Sequence, residues 1–367
     1  ELDLKPLNIF IGPNGSGKSN LIDVFSLLKE AATITQDENS LFAAVVKKRG
    51  GMAELLWNHG EESQKMMFEI ETDLGKQTEQ ALIFKLELEQ RIKGSAHYDI
   101  ITDILDILSK GERETLCKFG KGIPISARRP MYSGVEKLDE LVITQIDIPE
   151  PKQFISSWRI YLDFDTSPEA PMRNPQMVST EKYLSYKGDN LPLVLQYLQQ
   201  LKEWTDIDKT LKDLYEYFDG ITFASESRGK IVLAWREKGL NEAIYAPHLS
   251  DGILRFLCLA AILCHPDPPP LICIDEPEIG FHPDILLVIA ELMKKASEKT
   301  QLIVTTHSPE FVSCFDDPET IIITERGEDG GTIFRRLSAE ELKPWLEEEK
   351  MPIGTIWRQN LFGGNRW

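Results

Sequence analysis

The short run Leu7-Asn-Ile-Phe-Ile11 has β-branched and aromatic members and reads as a buried strand. It leads directly into Gly12-Pro13-Asn14-Gly15-Ser16-Gly17-Lys18-Ser19, after which apolar residues recur at helical spacing from Asn20 to Ala32. The eight residues match G-x-x-x-x-G-K-[ST] in full, and the order strand, glycine-rich loop, helix is the context a phosphate-binding loop requires. Glycines let the backbone turn tightly, so successive N–H groups point at phosphate oxygens. The helix N-terminus adds its partial positive charge. Lys18 is then placed to reach the β- and γ-phosphates of a nucleotide, and the Ser19 hydroxyl to ligate Mg²⁺. The expected binding segment for ATP is Gly12–Asn20.

Two later strands end in chemistry-bearing residues. Leu271-Ile-Cys-Ile274 delivers Asp275 and Glu276 at its C-terminal end, where α/β sheets place ligands. Asp275 suits the Mg²⁺ shell, and Glu276 suits polarisation of an attacking water. Gln301-Leu-Ile-Val-Thr305-Thr306 ends in His307, expected near the γ-phosphate. Leu249-Ser250-Asp251-Gly252 opens a helix to Cys264. There an N-cap role explains Ser250 or Asp251 completely, and a Ser–Gly pair such as Ser250 with Gly252 at a helix N-terminus is also an anion site.

The remaining pattern organises the chain. Residues 66–72 and 81–89 alternate apolar and polar, as antiparallel strands with one wet face do. From 94 to 140 the pattern weakens, with a possible short helix at Ile100–Ser109, and Thr166–Met177 reads as a surface loop. Residues 191–218 look helical, ending at Gly220. A strand pair is expected at Ile221–Ser225 and Lys230–Trp235, a helix near Pro283–Lys295 and a strand at Thr320–Thr324. Uninterrupted apolar strands separated by helices in the last third predict a parallel sheet covered on both faces.

The motif order resembles the ABC-type ATPase heads, in the soluble branch with RecF, the SMC proteins and the OLD-family ATPases. Within it the chain is similar to small bacterial AAA family ATPases that end in a Gly-Gly-x-x-Trp tail, here Gly363-Gly364-Asn-Arg-Trp367. The resemblance rests on GPNGSGKSN, HLSDGILR, IDEPEIGFHP, TTHSP and SSWRIYLDF. It implies an α/β P-loop NTPase in a single domain over 1–367 with two lobes. Residues 1–150 would form a mixed or antiparallel N-terminal lobe with the phosphate loop and an insertion, 151–220 a linking helical segment, and 221–367 a mainly parallel C-terminal lobe.

The resemblance also implies a homodimer in the ATP state that sandwiches two nucleotides, with Ser250 and Gly252 completing the neighbour's site in trans. Glu276 would be the catalytic base, His307 the γ-phosphate switch, and Ile279–Pro283 the loop linking the sites. Gln145 is the candidate for the glutamine that contacts Mg²⁺ and water, and an ordinary strand-end polar residue is the alternative. Asp251 and Ile253 replace the usual Gly and Gln of the signature, which puts the trans contact in question. The chain starts without Met at the edge of the first strand, so a native N-terminal piece is expected to be missing and adenine contacts stay unassigned.

Composition narrows the setting. The 367 residues carry a formal net charge of −18, which argues against a whole-surface DNA binder, since phosphate binding needs clustered positive charge. No apolar run approaches the ~20 residues needed to span a bilayer. The five scattered cysteines read as reduced thiols of a cytoplasmic protein. The expectation is a conformational-switch ATPase in a DNA-linked or anti-phage defence system, controlling a separately encoded effector such as a nuclease. The alternatives are the ATPase subunit of a membrane transporter and a scaffold that closes on ATP without turnover.

Overall fold

The computed structural model describes residues 2–33, 49, 65–73, 80–90, 98–109, 112–119, 149–202, 204–328 and 331–364. The chain divides into two compact units, one of Glu1–Ile22 with Arg159–Trp367 and the other of Asp23–Trp158. Strand β1 (Leu7–Ile11) is buried along its whole length and is followed by α1 (Lys18–Thr33).

In the Asp23–Trp158 unit, β2 (Lys65–Asp73), β3 (Gln80–Gln90), β4 (Tyr98–Ser109) and β5 (Glu112–Phe119) form an antiparallel meander, and α2 (Pro149–Ser157) follows. β2 and β3 cover the two alternating segments and pair with each other. The helix expected at Ile100–Ser109 is instead part of β4. Its apolar residues recur at spacings that fit either structure, and the register shift opposite Glu87/Leu88, which leaves Ile101 without a partner position on β3, breaks the strict alternation that would have marked a strand. Abundant isoleucine and a partner strand on each side decide the outcome.

The other unit continues with β6 (Arg159–Tyr161), β7 (Gln176–Met177), α3 (Leu191–Gln199), α4 (Trp204–Leu214), β8 (Phe218–Glu226), β9 (Lys230–Glu237) and β10 (Ile244–Tyr245). Then come α5 (Asp251–Leu263), β11 (Leu271–Asp275), α6 (Pro283–Ser297), β12 (Gln301–Thr306), α7 (Pro309–Val312), β13 (Ile321–Arg326), β14 (Thr332–Arg336), α8 (Ala339–Lys343) and α9 (Ile353–Arg358). The helical stretch expected to end at Gly220 ends at Leu214. Phe218 already belongs to β8, and Gly220 sits at a register shift between β8 and β9, where its positive φ is accommodated.

The main sheet has the order β14-β13-β1-β12-β11-β6, parallel except for β14. β1 lies between β12 and β13, so the phosphate-loop strand of the N-terminus is central in a sheet whose other strands all come from Arg159 onward. Asn8, fully buried in β1, is satisfied there. Its Nδ2 donates to the Leu302 carbonyl at 3.1 Å, and its Oδ1 accepts from Arg336 Nη2 at 2.9 Å. A second sheet pairs β9 with β7, β8 and β10, all antiparallel. Helix α5 buries nine residues in the hydrophobic core. Thr166–Met177 is largely exposed, as expected of a surface loop, but it is pinned by buried side chains. Ala170, Met172 and Arg173 are buried, with a 3₁₀ turn at Pro171–Arg173 leading to β7. Among the described residues no helix is long and apolar enough to cross a membrane.

Candidate functional site

The carboxyl ends of β1, β12 and β11 lie side by side, with β12 in the middle. At ~4.8 Å per strand, the phosphate loop leaving β1 and the acidic pair leaving β11 are on the order of 10 Å apart across the sheet edge. The loop backbone needs its glycines. A Cβ on Gly12 would run into the Thr324 carbonyl oxygen of β13, and one on Gly17 into the Thr332 side chain of β14; both residues have positive φ. Thr332 also donates its hydroxyl to the Ser16 carbonyl at 2.9 Å. Buried Ser16 Oγ has no hydrogen-bond partner among the described residues, a polar atom of the kind a phosphate oxygen would satisfy. Asn14, Gly15, Ser19 and Asn20 are exposed at the loop tip and the first turn of α1.

Lys18 starts α1 and is buried, its Nζ donating to the carbonyls of Gly12 at 2.8 Å and Pro13 at 2.9 Å. Burial pulls its ammonium down to about 8, against the field of Glu276, Asp275 and Glu278, which favour the charged form. Asp275 ends β11, Glu276 and Glu278 follow it, and the end of β12 holds all three residues. Thr305 donates its hydroxyl to Asp275 Oδ1, and its carbonyl accepts from the Glu276 N–H at 3.1 Å. Thr306 Oγ1 donates to Glu278 Oε1 at 2.5 Å, and the His307 N–H reaches the same oxygen at 3.1 Å. Burial holds Glu278 above the usual carboxylate range.

Glu276 has φ of 44°, a left-handed conformation that costs an L-residue roughly 1–2 kcal/mol. Its side chain lies 3.2 Å from His307, Oε1 to Nε2. Burial first, then the Asp275 charge, raises its pKa, while Lys18 opposes the shift. A strained backbone, a raised carboxyl and a histidine at contact distance make Glu276 a suitable proton acceptor. Glu276 and Asp275 also line a cleft with Asp163 and Arg255, which pair with each other at 3.1 Å.

Ser250 is the N-cap of α5, its Oγ accepting from the Ile253 N–H at 3.3 Å. Gly252 lies close to the Gly280 carbonyl in the segment after β11. The fold therefore gathers Lys18, Asp275, Glu276 and His307 at one sheet edge and puts Ser250 and Gly252 at a helix start beside Gly280. Gln145 lies outside the described residues. Sequence reasoning missed Thr305 and Thr306 as holders of the acidic residues, although their hydroxyls stand next to His307 at a strand end. It also missed Glu278 and Thr332, the latter with no local signal.

The donor set at this edge suits a hard cation. Ser19 and Asp275 offer oxygen, and Mg²⁺ commonly takes one or two protein oxygens and completes its shell with phosphates and water. Among the described residues no group of three or more His, Cys, Asp or Glu could hold a metal alone.

A family model described as "AAA domain, putative AbiEii toxin, Type IV TA system" matches residues 7–120 and 150–313. Solved structures similar to the chain include an SMC head bound to the C-terminal winged-helix domain of ScpA, with 14% identity, 93% of each chain covered and a TM-score of 0.48. Another is an SMC head with an extended coiled coil bound to the C-terminal domain of ScpA, derived from Pyrococcus furiosus, with 14% identity, 95% of each chain covered and a TM-score of 0.46. The SMC head domain from Thermotoga maritima has 13% identity, 92% of each chain covered and a TM-score of 0.42. No curated protein matches the chain.

Proposed function

This chain belongs to the AAA domain family and is a P-loop ATPase, and from that premise we propose that it is of the ABC type and hydrolyses Mg²⁺-ATP as a dimeric conformational switch. The observation that carries the reading is the meeting of Lys18, Asp275, Glu276 and His307 at the carboxyl edge of β1, β12 and β11.

Gly12 to Asn20 wrap the triphosphate. The loop N–H groups and the N-terminus of α1 face its oxygens, and Lys18 exchanges the Gly12 and Pro13 carbonyls for the β- and γ-phosphates. Ser19 and Asp275 hold Mg²⁺, which when bound neutralises charge on the phosphate oxygens. Glu276 accepts a proton from the attacking water, and its raised pKa makes it a better base than an ordinary carboxylate. His307, 3.2 Å from Glu276, fixes that carboxylate and faces the γ-phosphate. Ser250 and Gly252 at the start of α5 complete the γ-phosphate pocket of a second copy, so hydrolysis needs two subunits.

The setting we infer is a cytoplasmic defence system in which closure of the dimer controls a separately encoded effector, a nuclease among the candidates. The toxin–antitoxin wording of the family description supports that setting, and the net charge of −18 speaks against broad DNA binding. Glu276→Gln tests the chemistry. It should bind ATP as the wild type does and lose turnover by about 10²–10⁴-fold, as loss of a general base does. The trapped ATP should shift the variant to dimers in light scattering. Wild-type phosphate release by Glu276→Gln would remove Glu276 from the role of base.

A further inference from the structure

Arg173 stands in the segment between β6 and α3, and only 5% of it is exposed. Its guanidinium is surrounded by acceptors from two parts of the chain. Nε and Nη2 donate to the Thr166 carbonyl at 3.1 and 3.0 Å, which fixes the plane of the fork. Nη1 donates to the carbonyls of Ala246 at 3.0 Å and Leu249 at 2.7 Å, with Pro247 at 3.4 Å. Nη2 also pairs with Asp251 Oδ1 at 2.6 Å. The backbone from Ala246 to Leu249 therefore curls around one buried cation, and the next residue is Ser250, the N-cap of α5.

We propose that Arg173 is the positioning residue of the Ser250–Gly252 helix start, setting the direction in which that start meets the nucleotide of a second copy. This rests on the shared-site reading above. A helix N-terminus offers its N–H groups along its axis, so the segment entering the helix decides where they point. Three carbonyls and one carboxylate bound to a single rigid fork hold that segment. Lysine, a point charge on a flexible stem, cannot reproduce five fixed donor directions. The pair also accounts for Asp251, which stands where the ABC-type signature has glycine. Its carboxylate is the counter-charge of a buried arginine, and its own side chain is 68% exposed.

The experiment uses the full chain. Arg173→Lys keeps the charge and loses the fork. Asp251→Ala removes the counter-charge at an exposed position and decides the matter if Arg173→Lys does not fold. Each variant should bind Mg²⁺-ATP with unchanged affinity, because its own phosphate loop is intact, while turnover falls by about 10²-fold, the scale of an ångström-size misplacement. Mixed in equal amounts with Lys18→Ala, each should regain up to about a quarter of wild-type turnover. Random pairing makes about half the dimers mixed, and each mixed dimer has one undamaged site. A merely structural lesion harms both sites of its dimers and gives no recovery.

Ser250→Arg mixed with Lys18→Ala is the control for the shared site. Recovery there without recovery for Arg173→Lys or Asp251→Ala overturns the role of Arg173, as does wild-type turnover in either variant alone. Absence of recovery in the control pair, with subunit exchange demonstrated, overturns the shared site and the role of Arg173 with it.

Discussion

Raising the pH should loosen ATP binding through a single group. Lys18 is held at about 8 because burial costs its charged form more than Asp275, Glu276 and Glu278 return. Its ammonium must be charged to grip the phosphates, and the phosphates keep it charged once bound. The free protein then has to take up the missing proton on binding. With a pKa of about 8, nine-tenths of Lys18 is charged at about pH 7 and about a tenth at about pH 9. The apparent affinity should fall about tenfold over that interval, equal to about 1.4 kcal/mol.

Calorimetry in buffers of different ionisation enthalpy reads the uptake directly, near zero at the lower pH and near one proton at the higher. Lys18→Ala should bind more weakly and show neither effect. Stability moves the other way. The folded pKa lies below the unfolded value of about 10.4, so the unfolded chain holds more protons between the two, and stability rises with pH from about 8 to about 10.4. A wild-type affinity that stays constant across this range would refute the placement of Lys18 against the phosphates. So would a pH-dependent loss that persists in Lys18→Ala.

Further outcomes follow from single contacts. Thr332→Val should lose the hydrogen bond to the Ser16 carbonyl and weaken ATP binding about fivefold, the worth of about 1 kcal/mol, with Thr332→Ser restoring it. Equal affinities in the three proteins would remove Thr332 from the loop's support. Ser250→Arg should leave ATP affinity unchanged and abolish turnover in its homodimer, and full turnover would return Ser250 to a helix cap alone. Gly354→Ala in α9 should push against the Pro309 carbonyl, two residues past His307, and destabilise by about 1–3 kcal/mol. An unchanged denaturation midpoint would show that α9 can draw back from α7.

The elements that bring Lys18, Asp275, Glu276 and His307 to one sheet edge were legible because their signals are contiguous. A glycine-rich loop between a strand and a helix, an apolar strand ending in Asp275-Glu276, and one ending in Thr305-Thr306-His307 each declare themselves within about ten residues. Uninterrupted apolar runs likewise announced a parallel sheet. Tertiary structure alone decided that β1 enters between β12 and β13, because that pairing joins positions about 300 residues apart. It decided β4 as well, where strands on both sides outweighed a spacing that a helix would also have satisfied. Arg173 was hidden for the same reason, lying in a stretch rich in Pro, Ser and Asn while its carboxylate partner is 78 residues away. Thr332 reaches Ser16 across 316 residues. Periodicity and motif spacing report what neighbouring residues do to one another. A buried guanidinium and a hydroxyl clamping a distant loop depend on where the folded chain returns, which no local window contains.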